Sequence, residues 1–412
     1  MKKVTFFFLL FSITLLQAKK IEVCKSCEIS TIKKALELAE NGDEIFIKKG
    51  VYKENDIEVN KAVTISGEEG SIIDGSFKSG VLHITSDNFV LKNIKIINVG
   101  VSYTKDFAAV KVVKCKNFTI QNIVLDQIFF GILIEKSHYG KIIGNKLSST
   151  AKDEANSGNG IHIWHSSNMI VDSNEVFGMR DGIYFEFVTE SKVHNNNSHN
   201  NVRYGLHFMF SNNDTYYKNI FKNNGAGVAV MFSKFITMYQ NKFLDNWGSA
   251  SYGLLLKEIY DTQIYDNLFQ ENTIGIKGEG CTRINYKNNT FLRNGWAIKI
   301  AGACYTNIFE KNDFMHNSLD LAYNTKVNDN KFENNHWSEY TGYDLDKDGV
   351  GDIPYRPVKL FSYVVNKTPE ALVLLRSLFV DIINFSEKVS PVFTPDDLMD
   401  KKPIMNRIND RF

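Results

Sequence analysis

The segment Gly205-Leu206-His207-Phe208-Met209 is followed ten residues later by Asn219-Ile220-Phe221. Twenty-two residues after Gly205 the same order returns, as Gly227-Val228-Ala229-Val230-Met231 and Asn241-Lys242-Phe243. Both marks extend outward from here. Asn followed two residues later by an apolar side chain recurs at Asn145, Asn174, Asn219, Asn241, Asn267, Asn289, Asn312 and Asn330, with spacings of 29, 45, 22, 26, 22, 23 and 18. Gly followed by alternating apolar residues recurs at Gly131, Gly160, Gly182, Gly205, Gly227, Gly253 and Gly275, with spacings of 29, 22, 23, 22, 26 and 22. Up to Asn289 the two series lengthen together, so they share one unit with small insertions. A unit of about 22 residues, with short alternating strands and Asn/Gly corners, is one coil of a parallel β-helix. Each strand turns every second residue inward, and stacked coils join those residues into one core. A leucine-rich repeat has a similar period but needs Leu where this chain has Phe, Ile and Gly. The period predicts about 13 coils from about residue 50 to residue 335.

Composition agrees. The chain has 412 residues, 30 Phe, 18 Tyr and only 6 Pro, which suits a large packed core and excludes a disordered or Pro-rich class. Lys plus Arg number 48 against 47 Asp plus Glu, a formal net charge of +1, which argues against a nucleic-acid-binding surface. Met1-Lys2-Lys3, an apolar run from Val4 to Leu16, and Gln17-Ala18 read as an export signal over residues 1–18. The mature chain then works outside the cytoplasm and contains no further spanning segment. Ser30 to Glu40 reads as an amphipathic helix with Ile32, Ala35, Leu36 and Ala39 inward, ending at Asn41-Gly42. It predicts a cover for the first coil. The β-helix with its cap occupies residues 19–340, and residues 341–412 form a C-terminal extension.

That extension loses the repeat. Asp344, Asp346, Asp348, Val350 and Asp352 match the first nine positions of an EF-hand-type calcium loop, with Gly349 at the turn. Position twelve is Tyr355 rather than Glu, so the alternative is a solvated acidic turn. Pro369 to Val389 reads as a helix whose apolar residues cover more than one face. Leu372, Leu375, Leu378, Phe379, Ile382 and Ile383 could dock on a membrane-embedded partner or on the β-helix itself.

No catalytic motif is present: no Gly-x-Ser-x-Gly, phosphate-binding loop or His-Glu-x-x-His. Arg180-Asp181 and Arg203 fall one coil apart. They suit either a polysaccharide-cleaving face or a charge ladder between coils. The outward columns beside the repeat glycine are sharper. Two positions past it stand Leu133, His162, Tyr184, His207, Ala229, Leu255 and Lys277. Four positions past it stand Glu135, Trp164, Glu186, Met209, Met231, Lys257 and Glu279. Met209 and Met231 are predicted neighbours on adjacent coils, with His207 beside Met209 and His162 two coils away. Thioether plus imidazole suits Cu(I). The alternative is an apolar interface. Cys24-Lys-Ser-Cys27 can hold a metal or close a short disulfide. Cys281 and Cys304, one coil apart, are predicted to stack, and Cys115 reads as a core residue.

At these motifs the sequence resembles the NosD family, periplasmic maturation factors of nitrous oxide reductase. The resemblance is carried by Gly158-Asn-Gly-Ile-His162-Ile-Trp164, Arg180-Asp-Gly-Ile-Tyr184, Arg203-Tyr-Gly-Leu-His207-Phe-Met209 and Gly225-Ala-Gly-Val-Ala-Val-Met231. It continues through Asn246-Trp247, Tyr252 to Glu258, Asn294-Gly-Trp296, Gly342 to Pro357 and Pro369 to Phe379. It implies an all-β, right-handed parallel β-helix with no hydrolase activity. It also implies docking of the apolar tail on the membrane subunit of an ABC transporter. A copper chaperone and nitrous oxide reductase are the further partners, copper is handled on the His/Met face, and the protein is periplasmic and membrane-associated through its partner. A β-helix polysaccharide lyase, epimerase or hydrolase is the alternative.

Overall fold

A computed structural model describes residues 18–102, 104–155, 157–324, 329–375, 377–389 and 398–409. The export signal read over residues 1–18 lies almost wholly outside them. The chain winds as a parallel β-solenoid of about 14 turns, built from three sheets of 14, 12 and 13 strands. The first runs from Lys20–Val23 to Lys331–Glu333, the second from Ile57–Val59 to Leu319–Asn324, and the third from Gly50–Tyr52 to His336–Trp337. Among the described residues every strand pairs in parallel with its neighbour, for example Tyr204↔Ala226 and Met209↔Met231. The solenoid starts earlier than the repeat predicts: Lys20–Val23 already pairs with Glu44–Ile47. Its inward Ile21 and Val23 are buried, but the segment lacks the Asn/Gly corners that mark later coils.

Asparagine holds the coils in register. One ladder runs Asn145, Asn174, Asn196, Asn219, Asn241, Asn267, Asn289, Asn312, Asn335. In it each Nδ2 donates to the Oδ1 of the next coil at 2.9–3.1 Å. The same Oδ1 also accepts the backbone N–H of the preceding Asn, as in Asn219 to Asn241. Each buried amide is thereby satisfied, which contributes about 0.5–1.5 kcal/mol per bond and avoids a larger desolvation cost. Asn196 fills the gap of 45 residues, with Ser198 where the repeat has an apolar residue. Asn330 belongs to a different corner, since its partner is Asn307. The true successor of Asn312 is Asn335, which accounts for the short final spacing of 18. A second ladder links Asn201, Asn224, Asn246, Asn272, Asn294 and Asn317. Inside, Phe221, Phe243, Phe269, Phe291, Phe314 and Trp337 form one column of rings 4.0–5.5 Å apart.

Both ends are covered. Helix α1 (Ile32–Leu38) buries Ile32, Ala35 and Leu36 on the first coil. Thr31 Oγ1 accepts from Lys34 N–H, and the Glu54 carboxylate accepts from the N–H groups of Ile32 and Lys33. Lys61 Nζ closes the other end by donating to the carbonyls of Leu36, Glu37 and Ala39, so the helix stops before Asn41-Gly42. At the far end residues 398–409 return to the solenoid. Asp400 Oδ2 accepts from Asn335 N and Nδ2 and from Trp337 Nε1, so a carboxylate terminates the first ladder.

The single helix expected over Pro369–Val389 is broken. Helix α2 (Leu360–Lys367) precedes it, residues Pro369–Leu374 form a 3₁₀ turn, and helix α3 (Leu378–Val389) follows. Pro369 stands in the first turn of the 3₁₀ segment, after Thr368, and not at the start of a long α-helix. Phe361, Val365 and Val380 pack with Trp296, Leu319 and Ala322, and this contact sets the break.

The repeat glycines are required by contact rather than by backbone angle. A Cβ on Gly182, Gly205 or Gly253 would lie 2.7–2.8 Å from the carbonyl oxygen of the glycine in the next coil. Gly205→Ala should therefore cost about 1–3 kcal/mol by overpacking. Chemical denaturation checks this, and an unchanged midpoint would refute the close approach.

Candidate functional site

The outward columns form as the repeat arithmetic requires. His162 pairs with Tyr184, Tyr184 with His207, and His207 with Ala229. Trp164 pairs with Glu186, Glu186 with Met209, Met209 with Met231, and Met231 with Lys257. Met209 and Met231 are thus direct cross-strand neighbours, and His207 lies two residues from Met209 on the same strand. His162 is separated from this group. The Tyr184 ring stands between the two imidazoles, 4.6 Å from His162 and 4.7 Å from His207. One ion therefore cannot take both histidines, and the four-residue set divides into His207/Met209/Met231 and a remote His162.

His207 is buried, and both of its ring nitrogens lack a hydrogen-bond partner. Nδ1 lies 3.6 Å from Asp181 Oδ2. Asp181 is fully buried and accepts from Arg203 Nε at 2.8 Å and from Arg203 Nη2. Burial opposes its ionisation, but the Arg203 and His207 contacts hold its carboxyl below the ordinary value. The Arg180/Asp181/Arg203 group is thus a cross-coil ion pair plus Arg180, whose Nε donates to Asn159 Oδ1. Tyr204 packs on His207, with ring centroids 4.9 Å apart, and Tyr252 O–H donates to the Tyr204 hydroxyl. The sequence reading missed Asp181 as the group that orients His207. Its signal was its place immediately before Gly182, in register with Tyr204.

This donor set fits a soft monovalent cation. An imidazole whose Nε2 is buried without a partner shares a strand with Met209, whose cross-strand neighbour is Met231, and the buried Asp181 carboxylate stands 3.6 Å from its Nδ1, the usual support for a ligating histidine. Ala229, the small neighbour of His207 on the next coil, ends the ring stack there. Next along each strand, Phe187, Phe210 and Phe232 form an exposed stack with rings 5.1 Å apart.

The acidic loop gathers fewer ligands than its spacing suggests. The carboxylates of Asp344, Asp346 and Asp348 lie within 4.8 Å of one another. Asp352 is turned to another task, since its Oδ2 accepts from Leu345 N–H. Asp344 accepts from the N–H groups of Asp348 and Gly349, and Asp348 from that of Val350. Val350 bridges Ile404. Tyr355 is drawn inward, where its hydroxyl donates to Asp320. The loop thus holds itself together through its own carboxylates.

The apolar tail is divided between two surfaces. Leu375 packs with the Phe361/Val365/Val380 cluster, and Ile383 is half-buried. Leu372, Leu378, Phe379 and Ile382 are exposed, Leu378 by 73%. Among the described residues no helix is long and apolar enough to cross a membrane. Cys24 and Cys27 form a disulfide. Cys115, Cys281 and Cys304 are free and buried. Hydrogen bonds from the Cys281 thiol and neighbouring backbone N–H groups bring the Cys304 thiol down to about 7.

Residues 143–343 match the family model NosD, described as a periplasmic copper-binding protein. Over 366 residues the chain is 24% identical to the probable ABC transporter binding protein NosD of Pseudomonas aeruginosa, covering 84% of this chain and 85% of that one. A protein of the same name from Stutzerimonas stutzeri is 26% identical over 145 residues, 34% of this chain and 30% of its own. Among solved structures, a Yersinia enterocolitica family 28 exopolygalacturonase superposes with a TM-score of 0.62 at 13% identity, covering 76% of this chain and 78% of that one. The Dettilon tailspike protein gives 0.52 at 12%, covering 74% and 68%. These two likenesses concern the β-helix fold alone.

Burial, followed by the Arg180 charge, lowers the His162 pKa to about 4. Its neutral form is favoured in the folded state, so its contribution is full above about pH 6.5 and is lost as pH falls toward 4. Stability should drop by about 1–3 kcal/mol over that window, and less in His162→Phe. Denaturation midpoints at pH 7 and 4.5 measure this, and identical slopes in both proteins would refute it.

Proposed function

From the match of residues 143–343 to the NosD family model, we propose that the chain is an exported accessory protein that docks on an ABC transporter and supports assembly of the copper–sulfur centre of nitrous oxide reductase. Copper is its cargo, received from a copper chaperone and presented toward the reductase. The protein binds and couples; it is not a catalyst. The observation that carries this reading is the in-register pair Met209/Met231 on the strand edge of a buried His207 whose Nε2 has no hydrogen-bond partner, all inside the matched segment. Thioether and imidazole prefer Cu(I) over the hard cations. A cation at this face would take His207, Met209 and Met231, with Asp181 orienting the imidazole. His162, stacked behind Tyr184, belongs to the wall of the site.

The exposed residues Leu372, Leu378, Phe379 and Ile382 are the proposed contact with the transporter's membrane subunit. Leu375, packed with Phe361, Val365 and Val380, ties that surface to the solenoid, and Ile383 is half-buried beside it in sequence. Apolar exposure on this scale is costly in water and is suited to burial against a partner. Association with the membrane then runs through the partner. A calcium ion shared by Asp344, Asp346 and Asp348 would be a guest in a loop that already closes through its own hydrogen bonds. The polysaccharide-enzyme reading is disfavoured by Asp181: its carboxylate is buried and paired with Arg203, so it is not free to serve as an acid or base.

Anaerobic Cu(I) titration against a competing chelator tests the copper face. His207→Ala/Met209→Ala/Met231→Ala should lose one tight equivalent relative to wild type, and equal stoichiometry would exclude this face. Leu378→Asp/Phe379→Asp should abolish recovery with membranes that carry the transporter, with the melting temperature unchanged. Undiminished recovery would place the contact elsewhere.

A further inference from the structure

One corner of the solenoid carries a ladder of hydroxyl groups. The backbone N–H groups of Cys115, Ser137, Val188 and Ser211 donate to the Oγ of Ser137, Ser166, Ser211 and Ser233, one coil further on. Ser137, Ser166, Ser211 and Ser233 each donate in turn to the carbonyl two residues before them. Serine therefore meets every structural need of the position. At the far end of this ladder the chain places Cys281 and Cys304 instead. Cys281 N–H donates to Cys304 Sγ at 3.2 Å, and the flanking Thr282 bridges Tyr305 in parallel register. The two thiols are thus stacked on successive coils, both buried and both free.

From this pairing we propose that Cys281 and Cys304 form a second, buried Cu(I) site that is independent of the His207/Met209/Met231 face. Stacked parallel strands lie about 4.8 Å apart. Two metal–thiolate bonds of about 2.3 Å, placed in line, span that distance. Two-coordinate linear geometry is one that Cu(I) accepts and that Zn²⁺ and the hard cations do not, and thiolate is its preferred ligand. Binding forms two Cu–S bonds and displaces the thiol protons to solvent. The metal enters and stays as Cu(I), so no electron is transferred. The way in is the short turn above Cys304, where Gly302 has a positive φ of 70° and Gly302 and Ala303 are exposed.

The ladder itself supplies a conservative probe, since serine already occupies the equivalent position in four other coils. The reduced full-length protein is titrated anaerobically with Cu(I) alone, and thiolate-to-copper charge-transfer absorption is followed in the ultraviolet. Wild type and the His207→Ala/Met209→Ala/Met231→Ala variant should both show the band. Cys281→Ser/Cys304→Ser should lose it together with one copper equivalent, while retaining the outer-face equivalent. Loss of only the outer-face equivalent in its own variant would leave this site standing, so the two readings fail separately. If the serine variant does not fold, X-ray absorption at the copper edge of the Cu(I)-loaded His207→Ala/Met209→Ala/Met231→Ala protein reports instead: a shell of two sulfur donors is expected. An unchanged band in the serine variant, or a copper shell without sulfur in the outer-face variant, would overturn the site. So would fewer than three free thiols in the protein as purified, which would mean that the pair is a disulfide.

Discussion

Successive coils must stack in register, and buried asparagine amides enforce it. Each amide accepts the backbone N–H of one coil and donates to the carbonyl of another, so slipping by one residue would leave a column of polar groups buried without partners. The glycine column adds a steric limit, because only hydrogen fits beneath the next coil's carbonyl. The ladder ends at Asp400, which gives the last amide an acceptor where no further coil exists. α1 does the equivalent work at the first coil.

The outer face inherits this order. A side chain fixed in register by the coils beneath it meets its counterpart about 4.8 Å away, whatever their distance in sequence. That is how Met209 and Met231 become neighbours, and how Asp181, Arg203 and His207 come together from two coils. The same rule gathers Cys281 and Cys304 on an inner corner. The scaffold therefore converts a sequence period into donor sets, and their chemistry depends on which residue types occupy equivalent positions. Soft donors recur at two such places, and the NosD-family match spans both.

Much of this was legible in the sequence. The column assignments follow from counting past each repeat glycine, and Asn ladders follow from one polar mark per coil. What periodicity cannot carry was missed or misplaced. Lys20–Val23 lacks corner residues, so the repeat count began only near residue 50. Asn330 shares the local pattern of its ladder but sits at another corner, which only pairing reveals. Asp400 acts across 65 residues on Asn335, with no repeat to announce it. The tail helix is interrupted where Leu375 and Val380 pack with Phe361 and Val365, a contact that a continuous apolar run does not announce. His162 and His207 were grouped by residue type, although Tyr184 stands between them in the same column. The buried state of Asp181 was hidden because a charged residue beside a turn usually faces water.

Register places a thioether pair and an imidazole on one face, which we propose holds one copper ion. The most direct measurement is X-ray absorption at the copper edge on the Cu(I)-loaded protein carrying Cys281→Ser and Cys304→Ser, which leaves Met209 and Met231 as the sulfur donors of the proposed face. The account predicts a first shell containing sulfur together with nitrogen from one imidazole, with the sulfur lost in Met209→Leu/Met231→Leu. A shell of nitrogen and oxygen alone, unchanged by those substitutions, would contradict it.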